Sequence, residues 1–404
     1  MKNKVEEDKI YNRRWKLTFA VLICIFSMIS VSLAFSDNDP WVASVEKGGE
    51  SFLFADHSGN QNEDNWIHLN GGKEIQLPQP LSFTYNGPDT LLTKEGATIK
   101  LKSESDNGNN TKIVFTYPYS THPFYTENQK VKMNFYGSSA FNNQEVNIYL
   151  VKAFDAPCAK EILGNIVDCN ATSVEKILDN SSIPYTKVSA TLDENGDLVK
   201  PVNFGYLTPD SYGIIMTLAD KDKEENTQPD SKEKNECKVL SATCFEVVDY
   251  ELKTKATNTL KEGKNFDVDL SLIDTSAKEN VTYGAMLIKK DAYKADINLS
   301  TNGTIDGTDL FINDISILSN LGIDSTNNNS NISKSELSNE IQIFIGAGNG
   351  TMSIGEENQN TLSLTTFDLL PGDYILFTGA YEEGKGLVGI DQKELTIYTG
   401  TSPK

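Results

Sequence analysis

Apolar and polar residues alternate with a period of two along most of this chain, the mark of strands with one face in a core and one in water. Thr98-Ile99-Lys100-Leu101-Lys102 alternates strictly, and so does Lys130-Val131-Lys132-Met133-Asn134-Phe135. Runs of this kind, bounded by Gly, Pro, Asn and Asp, predict strands at 74–77, 81–85, 97–103, 112–117, 130–136, 146–153, 186–192, 201–205, 212–218 and 243–249. A second set is predicted at 266–273, 281–289, 341–345, 361–366, 374–381 and 393–398. Asp193-Glu194-Asn195-Gly196-Asp197 reads as a hairpin turn of the Asn-Gly kind. Helical spacing appears between 155 and 178, where Ile162, Ile166, Val174, Ile177 and Leu178 fall, and a short helical region is expected around 333–341.

The pattern occurs twice. Leu207-Thr208-Pro209-Asp210-Ser211-Tyr212-Gly213-Ile214-Ile215-Met216 and Leu369-Leu370-Pro371-Gly372-Asp373-Tyr374-Ile375-Leu376-Phe377 each read as a Pro-led turn feeding a strand. Upstream, Lys264-Asn265-Phe266-Asp267-Val268-Asp269-Leu270 parallels 130–135, and Ala285-Met286-Leu287-Ile288-Lys289-Lys290 parallels Asn147-Ile148-Tyr149-Leu150-Val151-Lys152. One order of elements, met twice, predicts two modules at 111–249 and 250–398, after a turn-rich β region at 36–110. The charged run 221–236 contains Pro229 and no apolar residue, so it reads as a solvated insertion in the last hairpin of the first module. Residues 291–339 read as an insertion in the second. About seven short strands per module suit a two-sheet sandwich. The expected fold is all-β: tandem immunoglobulin-like β-sandwich modules after an N-terminal hydrophobic helix and a β-rich region.

The leader changes the picture from fold to location. Leu17 to Phe35 holds no charged residue and, as a helix, spans about 28 Å, enough for a hydrocarbon core. The basic cluster Asn12-Arg13-Arg14-Trp15-Lys16 precedes it, which places the N-terminus in the cytoplasm and everything after Ser36 outside. Two readings stand side by side: a signal peptide cut after Ala34, or an uncleaved membrane anchor at 17–35. Cys24 follows the bulky Ile23 and is not a lipoprotein cysteine. The formal charge is −21 over 404 residues; beyond residue 35 it is −24, with 30 basic against 54 acidic side chains and no arginine. Nucleic-acid recognition needs a basic face and Arg donors, so it is excluded.

Wording in the last 150 residues is more specific. Lys289-Lys290-Asp291-Ala292-Tyr293-Lys294-Ala295, Asn302-Gly303-Thr304, Gly346-Ala347-Gly348-Asn349-Gly350-Thr351, Ser353-Ile354-Gly355-Glu356-Glu357-Asn358-Gln359, 369–377 and Glu383-Gly384-Lys385-Gly386-Leu387-Val388-Gly389-Ile390 carry it. Over 250–398 these pieces resemble a domain of unknown function found in extracellular proteins of methanogenic archaea. The resemblance implies an exported cell-envelope protein, and it brings no catalytic residues with it.

Candidate chemistry is sparse. Cys158 with Cys169 and Cys237 with Cys244 form two close pairs, expected as neighbour-linked disulfides in an exported chain, although four cysteines allow three connectivities. Asn109, Asn170, Asn180, Asn280, Asn298, Asn302, Asn328, Asn331 and Asn349 each begin an Asn-x-Ser/Thr sequon, so glycosylation is expected at several. Asp193, Asn195 and Asp197 open like a calcium loop, but Phe204 stands where the closing Glu belongs, so a plain turn is expected. Asp306, Asp309 and Asp314 are a second calcium candidate, weaker than a solvated face. His57, His68 and His122 fall in no metal or hydrolase motif, and no phosphate-binding glycine loop is present. Trp41, Trp66, Phe115, Tyr117, Tyr119, Phe124 and Tyr125 suit core packing better than a binding surface. The expectation is therefore a non-enzymatic surface protein without cofactor. Its partners would be cell-envelope proteins or glycans, and the membrane if the leader stays. A secreted carbohydrate-active or other hydrolase is the alternative, which would need two carboxylates about 5 to 10 Å apart.

Overall fold

The computed structural model describes residues 40–47, 50–55, 57, 65–76, 81–87, 92–94, 97–101, 111–116, 121–167, 171–219, 235–273, 280–291, 295–299, 309–312, 315–316, 346–382 and 385–400. The leader at 1–35, all but the last two residues of the charged run 221–236, the strand expected at 341–345 and the helical region expected at 333–341 lie outside them. Among the described residues no helix is long and apolar enough to cross a membrane.

In chain order the strands of the first half are β1 (Trp41–Lys47), β2 (Glu50–Ala55), β3 (Trp66–Asn70), β4 (Lys73–Gln76), β5 (Leu81–Gly87), β6 (Leu92–Lys94), β7 (Ala97–Leu101) and β8 (Thr111–Thr116). There follow β9 (Thr121–Thr126), β10 (Lys130–Tyr136), β11 (Glu145–Lys152), helices α1 (Ala156–Val167) and α2 (Val174–Asn180), β12 (Tyr185–Thr191), β13 (Val202–Tyr206), β14 (Asp210–Leu218) and β15 (Asn235–Val248). The second half holds β16 (Leu252–Lys255), β17 (Thr259–Lys261), β18 (Asn265–Leu272), β19 (Val281–Lys289), β20 (Ala295–Leu299), β21 (Asp309–Ile312), β22 (Ile315–Ser316), β23 (Gly350–Glu357), β24 (Thr361–Thr365), β25 (Gly372–Glu382) and β26 (Gly386–Tyr398). The fold is mostly β, as the alternation predicts.

Two units share one strand order. In the first, β12-β11-β14-β15 form one sheet and β13-β10-β3 the other; β9 lies parallel on the C-terminal end of β15. In the second, β23-β19-β25-β26 form one sheet and β24-β18-β16 the other; β17 lies parallel on the C-terminal end of β26. Alternation builds the smaller sheets: Val131, Met133 and Phe135 of β10, and Val268 and Leu270 of β18, point inward and are buried. The strands facing them, β11 and β14, read instead as nearly continuous apolar runs, because both faces of that sheet are covered. Val146, Ile148 and Leu150 pack toward β10 with Ile214 and Met216, while Tyr149, Val151 and Ile215 pack under the helices. The five helical positions expected from spacing are all buried against that outer face. Asp155 Oδ1 caps α1 by accepting from Cys158 N–H at 3.0 Å, and Ser173 Oγ caps α2 by accepting from Lys176 N–H at 3.3 Å.

The repeated Pro-led turn has the same hydrogen bond in both units. Tyr212 Oη donates to Thr208 O at 2.8 Å, and Tyr374 Oη donates to Leu370 O at 2.5 Å. Each is a buried tyrosine at the start of a strand, tying down the carbonyl four residues upstream. The insertions also match, since each unit interrupts the same connection: α1 and α2 separate β11 from β12, and residues 290–349 separate β19 from β23.

Two boundaries differ from the expectation. Residues 36–110 are not a separate region, because β3 pairs β10, β4 pairs β9, and β2 runs parallel to the N-terminal half of β15 with Glu50–Phe54 against Asn235–Val239. Nor does β8 open the first unit. It joins β5, which pairs in parallel with β20 of the second unit, in a sheet ordered β22-β21-β20-β5-β8.

The pairing of Cys237 with Cys244 is corrected. Both lie in the single strand β15, seven positions and about 23 Å apart along an extended chain, whereas a disulfide needs Cα atoms within about 7 Å. Cys169, the partner expected for Cys158, lies outside the described residues. A peptide map made after alkylation without reduction is expected to contain no Cys237–Cys244 link. Finding that link would mean β15 is broken in solution.

Candidate functional site

Chemistry-bearing side chains gather near the C-terminal end of β15. Glu246 Oε2 accepts from Ser211 Oγ of β14 at 2.7 Å. Two residues earlier on the same face, Cys244 Sγ lies 3.8 Å from His122 Nδ1 of β9. Asp155, at the cap of α1, and Asp210, next to Ser211, complete the surroundings. Burial, then the negative charges of Asp210 and Asp155, push the Glu246 carboxyl up to about 8, against the lowering effect of the Ser211 bond. Burial holds the His122 imidazole down to about 3 and pushes the Cys244 thiol well up.

These shifts decide what the cluster can do. A nucleophilic cysteine needs a thiolate, held by a cation or a helix N-terminus and open to substrate. Cys244 and His122 are instead both neutral and both buried, at 3% and 0% exposure. Cys158 is no nucleophile either: burial, with Asp155 and Glu161 beside it, pushes its thiol up to about 12. Glu246 keeps its proton at neutral pH, as a general acid does, but at 7% exposure it meets no substrate in this conformation. The arrangement is a buried polar patch on β15, bordered by Ser211 of β14 and His122 of β9. Spacing alone hides it. In 244–248, Phe245 and Val247 alternate toward the facing sheet, which leaves Glu246 on the face expected to meet water, yet Cys244 on that same face belongs to the core that includes Phe154 and the helices, and Glu246 is buried with it.

The three histidines occupy three places. His57 packs edge-on to Trp66 with ring centroids 5.3 Å apart and hydrogen-bonds the backbone of Leu240; burial holds it down to about 4. His68 lies in β3, its ring 4.8 Å from that of Tyr136. Among the described residues no group of three or more His, Cys, Asp or Glu side chains is placed to hold a metal ion.

Asp193, Asn195 and Asp197 form the expected turn. Asp193 Oδ1 accepts from the N–H groups of Asn195 and Asp197 at 2.8 and 3.0 Å, and Asp197 Oδ1 accepts from Gly137 N–H at 3.0 Å. Gly196 supplies φ +92, and a Cβ there would sit 2.1 Å from Ser138 O. The carboxylates that a calcium ion would take are thus engaged by backbone donors. Asp306, Asp314 and the side chain of Asp309 lie outside the described residues.

Trp66, Phe124 and Tyr125 are buried, and Trp41 packs on Phe141 at 5.2 Å, so these aromatics serve the core. Tyr117, Tyr119 and the side chain of Phe115 fall outside the description. Of the sequons, Asn180 ends α2 and Asn280 precedes β19 with φ +75, and both are exposed. Asn349 is half-buried, beside Gly346. Asn298 lies in β20 without a described side chain, and Asn109, Asn170, Asn302, Asn328 and Asn331 lie outside the described residues.

The units also touch each other. Gln392 of β26 brackets the backbone of Gln76 in β4, accepting from its N–H and donating to its carbonyl at 2.6 Å each. Beside it Lys73 pairs with the largely buried Asp391, whose other oxygen accepts from Thr254 N–H at 2.9 Å. No family model matches the chain, and no curated protein matches it significantly.

Proposed function

We propose that the chain is an exported cell-surface protein of tandem immunoglobulin-like sandwiches, with a structural, adhesive or ligand-binding role in the cell envelope. The observation that carries this reading is the shared strand order of the two units, each with a buried tyrosine bonded four residues back at its Pro-led turn. Such a tyrosine corner is a hallmark of immunoglobulin-like sandwiches, a scaffold much used for display outside cells. The hydrophobic leader, the acidic arginine-free body and the wording shared with methanogen extracellular domains support the same reading. Asn180 and Asn280 are the proposed glycan acceptors, because an attached sugar needs an exposed Asn and neither sits in the middle of a paired strand. Partners are envelope proteins or glycans, with the membrane added if the leader is retained.

A strain lacking the chain, compared with its parent for attachment and for envelope integrity, tests the role. Loss of attachment, or shedding of envelope material, restored by the full chain, is the expected result. A strain indistinguishable from its parent on both counts contradicts it. The hydrolase alternative has one favourable feature, the raised carboxyl of Glu246, and its burial speaks against it.

A further inference from the structure

The second unit is entered at one pole and left at the other. Tyr250 N–H donates to Val388 O at 2.9 Å, close to the start of β26, which fixes the entering chain there. The exit at Tyr398 lies ten residues further along the same strand, about 33 Å away. Between these poles the entering chain runs up β16, antiparallel to β18, and then lays β17 parallel on the exit end of β26. The register is Thr259 to Thr396, Leu260 to Ile397 and Lys261 to Tyr398. One bond extends the ladder on each side: Thr396 N–H donates to Asn258 O at 2.9 Å, and Glu262 N–H to Tyr398 O at 3.1 Å. Leu260, Leu395 and Ile397 lie buried behind it.

Tension on the two ends pulls β17 toward the entry pole and β26 toward the exit pole. The strands must then slide along their own axes, so all the ladder bonds are loaded at once and fail together. At the open mouth of a hairpin the same bonds would be loaded one at a time. The first unit also lays β9 and β2 parallel on β15, but tension from its N-terminal side meets β1 first, at the open mouth of the β1–β2 hairpin, so the second unit alone places such a ladder directly on the path of the load.

We infer that the chain is a load-bearing tether whose second unit is closed by a parallel ladder that tension along the chain loads in shear. The inference gives the proposed surface role a mechanical content and rests on that reading for its biology, but the ladder itself rests on strand pairing alone. Single-molecule pulling separates the two. The full chain carries a handle at each end in one experiment. In the other it carries one handle at the C-terminus and one at Glu262, an exposed residue just after β17, through Glu262→p-azidophenylalanine. Both start from the same folded protein, but the second geometry peels β17 from β26 bond by bond. The expected result is a rupture force for the second unit several-fold higher in the end-to-end geometry. Equal forces in the two geometries overturn the shear ladder, while leaving a passive adhesive role untouched. A high end-to-end force in a protein that proves not to be displayed on cells would keep the ladder and remove the surface role.

Discussion

Urea unfolding of this protein, followed from pH 3 to pH 9, is expected to give greatest stability near pH 6.5. Three buried groups set that maximum. His57 and His122, held down to about 4 and about 3 from an ordinary 6.5, are neutral in the folded chain while the unfolded chain binds their protons as pH falls. Their contribution is fully present above pH 6.5 and is lost on acidification, by roughly 3 and 5 kcal/mol respectively at about 1.4 kcal/mol per unit. Glu246 has the opposite sign. Its folded carboxyl, up at about 8, holds a proton that the unfolded chain has released above pH 4.5, so its contribution falls as pH rises from 4.5 to 8, by at most about 5 kcal/mol. Between pH 4.5 and 6.5 the unfolded chain binds two histidine protons against one carboxyl proton retained on folding, and stability climbs. From 6.5 to 8 only the carboxyl counts, and stability drops. Glu246→Gln, which replaces the protonated acid with an amide of the same shape, is expected to abolish the alkaline fall. A flat profile from pH 6.5 to 8 in the parent, or an unchanged fall in Glu246→Gln, contradicts the burial of a neutral carboxyl at Glu246.

Tyr212→Phe and Tyr374→Phe are each expected to destabilise their own unit by about 0.5–1.5 kcal/mol, the net contribution of a hydrogen bond whose acceptor residue, Thr208 or Leu370, reaches solvent. Neither change opens a cavity, since only the hydroxyl is removed. The effect therefore reads the bonds of the hydroxyl, which also reaches Thr208 Oγ1 at 3.2 Å in the first unit and Gly348 O at 3.4 Å in the second. The carbonyl of Thr208 has the Tyr212 hydroxyl at 2.8 Å, and that of Leu370 has the Tyr374 hydroxyl at 2.5 Å. Similar losses in the two variants, measured by urea unfolding with the transitions of the two units fitted separately, support equivalent positions in a repeated module. A neutral Tyr374→Phe beside a costly Tyr212→Phe contradicts that equivalence.

Local pattern carried the strands that pair with neighbours in sequence. Lys130–Tyr136 and Val281–Lys289 are strands with the bounds their patterns predict, and the helical spacing around Ile162 and Ile166 marks a helix. Strands β1, β2 and β3 went unseen because their polar, turn-rich surroundings mask short apolar runs, and because partners such as β15 lie far away in sequence. Pro123 disguised β9, whose ladder to β15 begins only at Phe124. The first half of β15, including Cys237, follows directly on a charged run without apolar residues, so local pattern does not mark it as a strand; its pairing with the distant β2 does. Glu246 was hidden for another reason: period-two alternation reports which residues share a face, and what covers that face is decided by distant elements. The Asp193 turn needed nothing distant. Asn-Gly chemistry and the missing closing Glu were enough to read it as a turn and not a calcium loop.

Export is checked by the intact mass of the protein recovered separately from the membranes and the medium of the cells that make it. The expected result is a species outside the cytoplasm and heavier than its peptide by attached sugar, starting near Phe35 if the leader is cleaved or at the N-terminus if it anchors the chain. An unmodified, full-length species confined to the cytoplasm would contradict it.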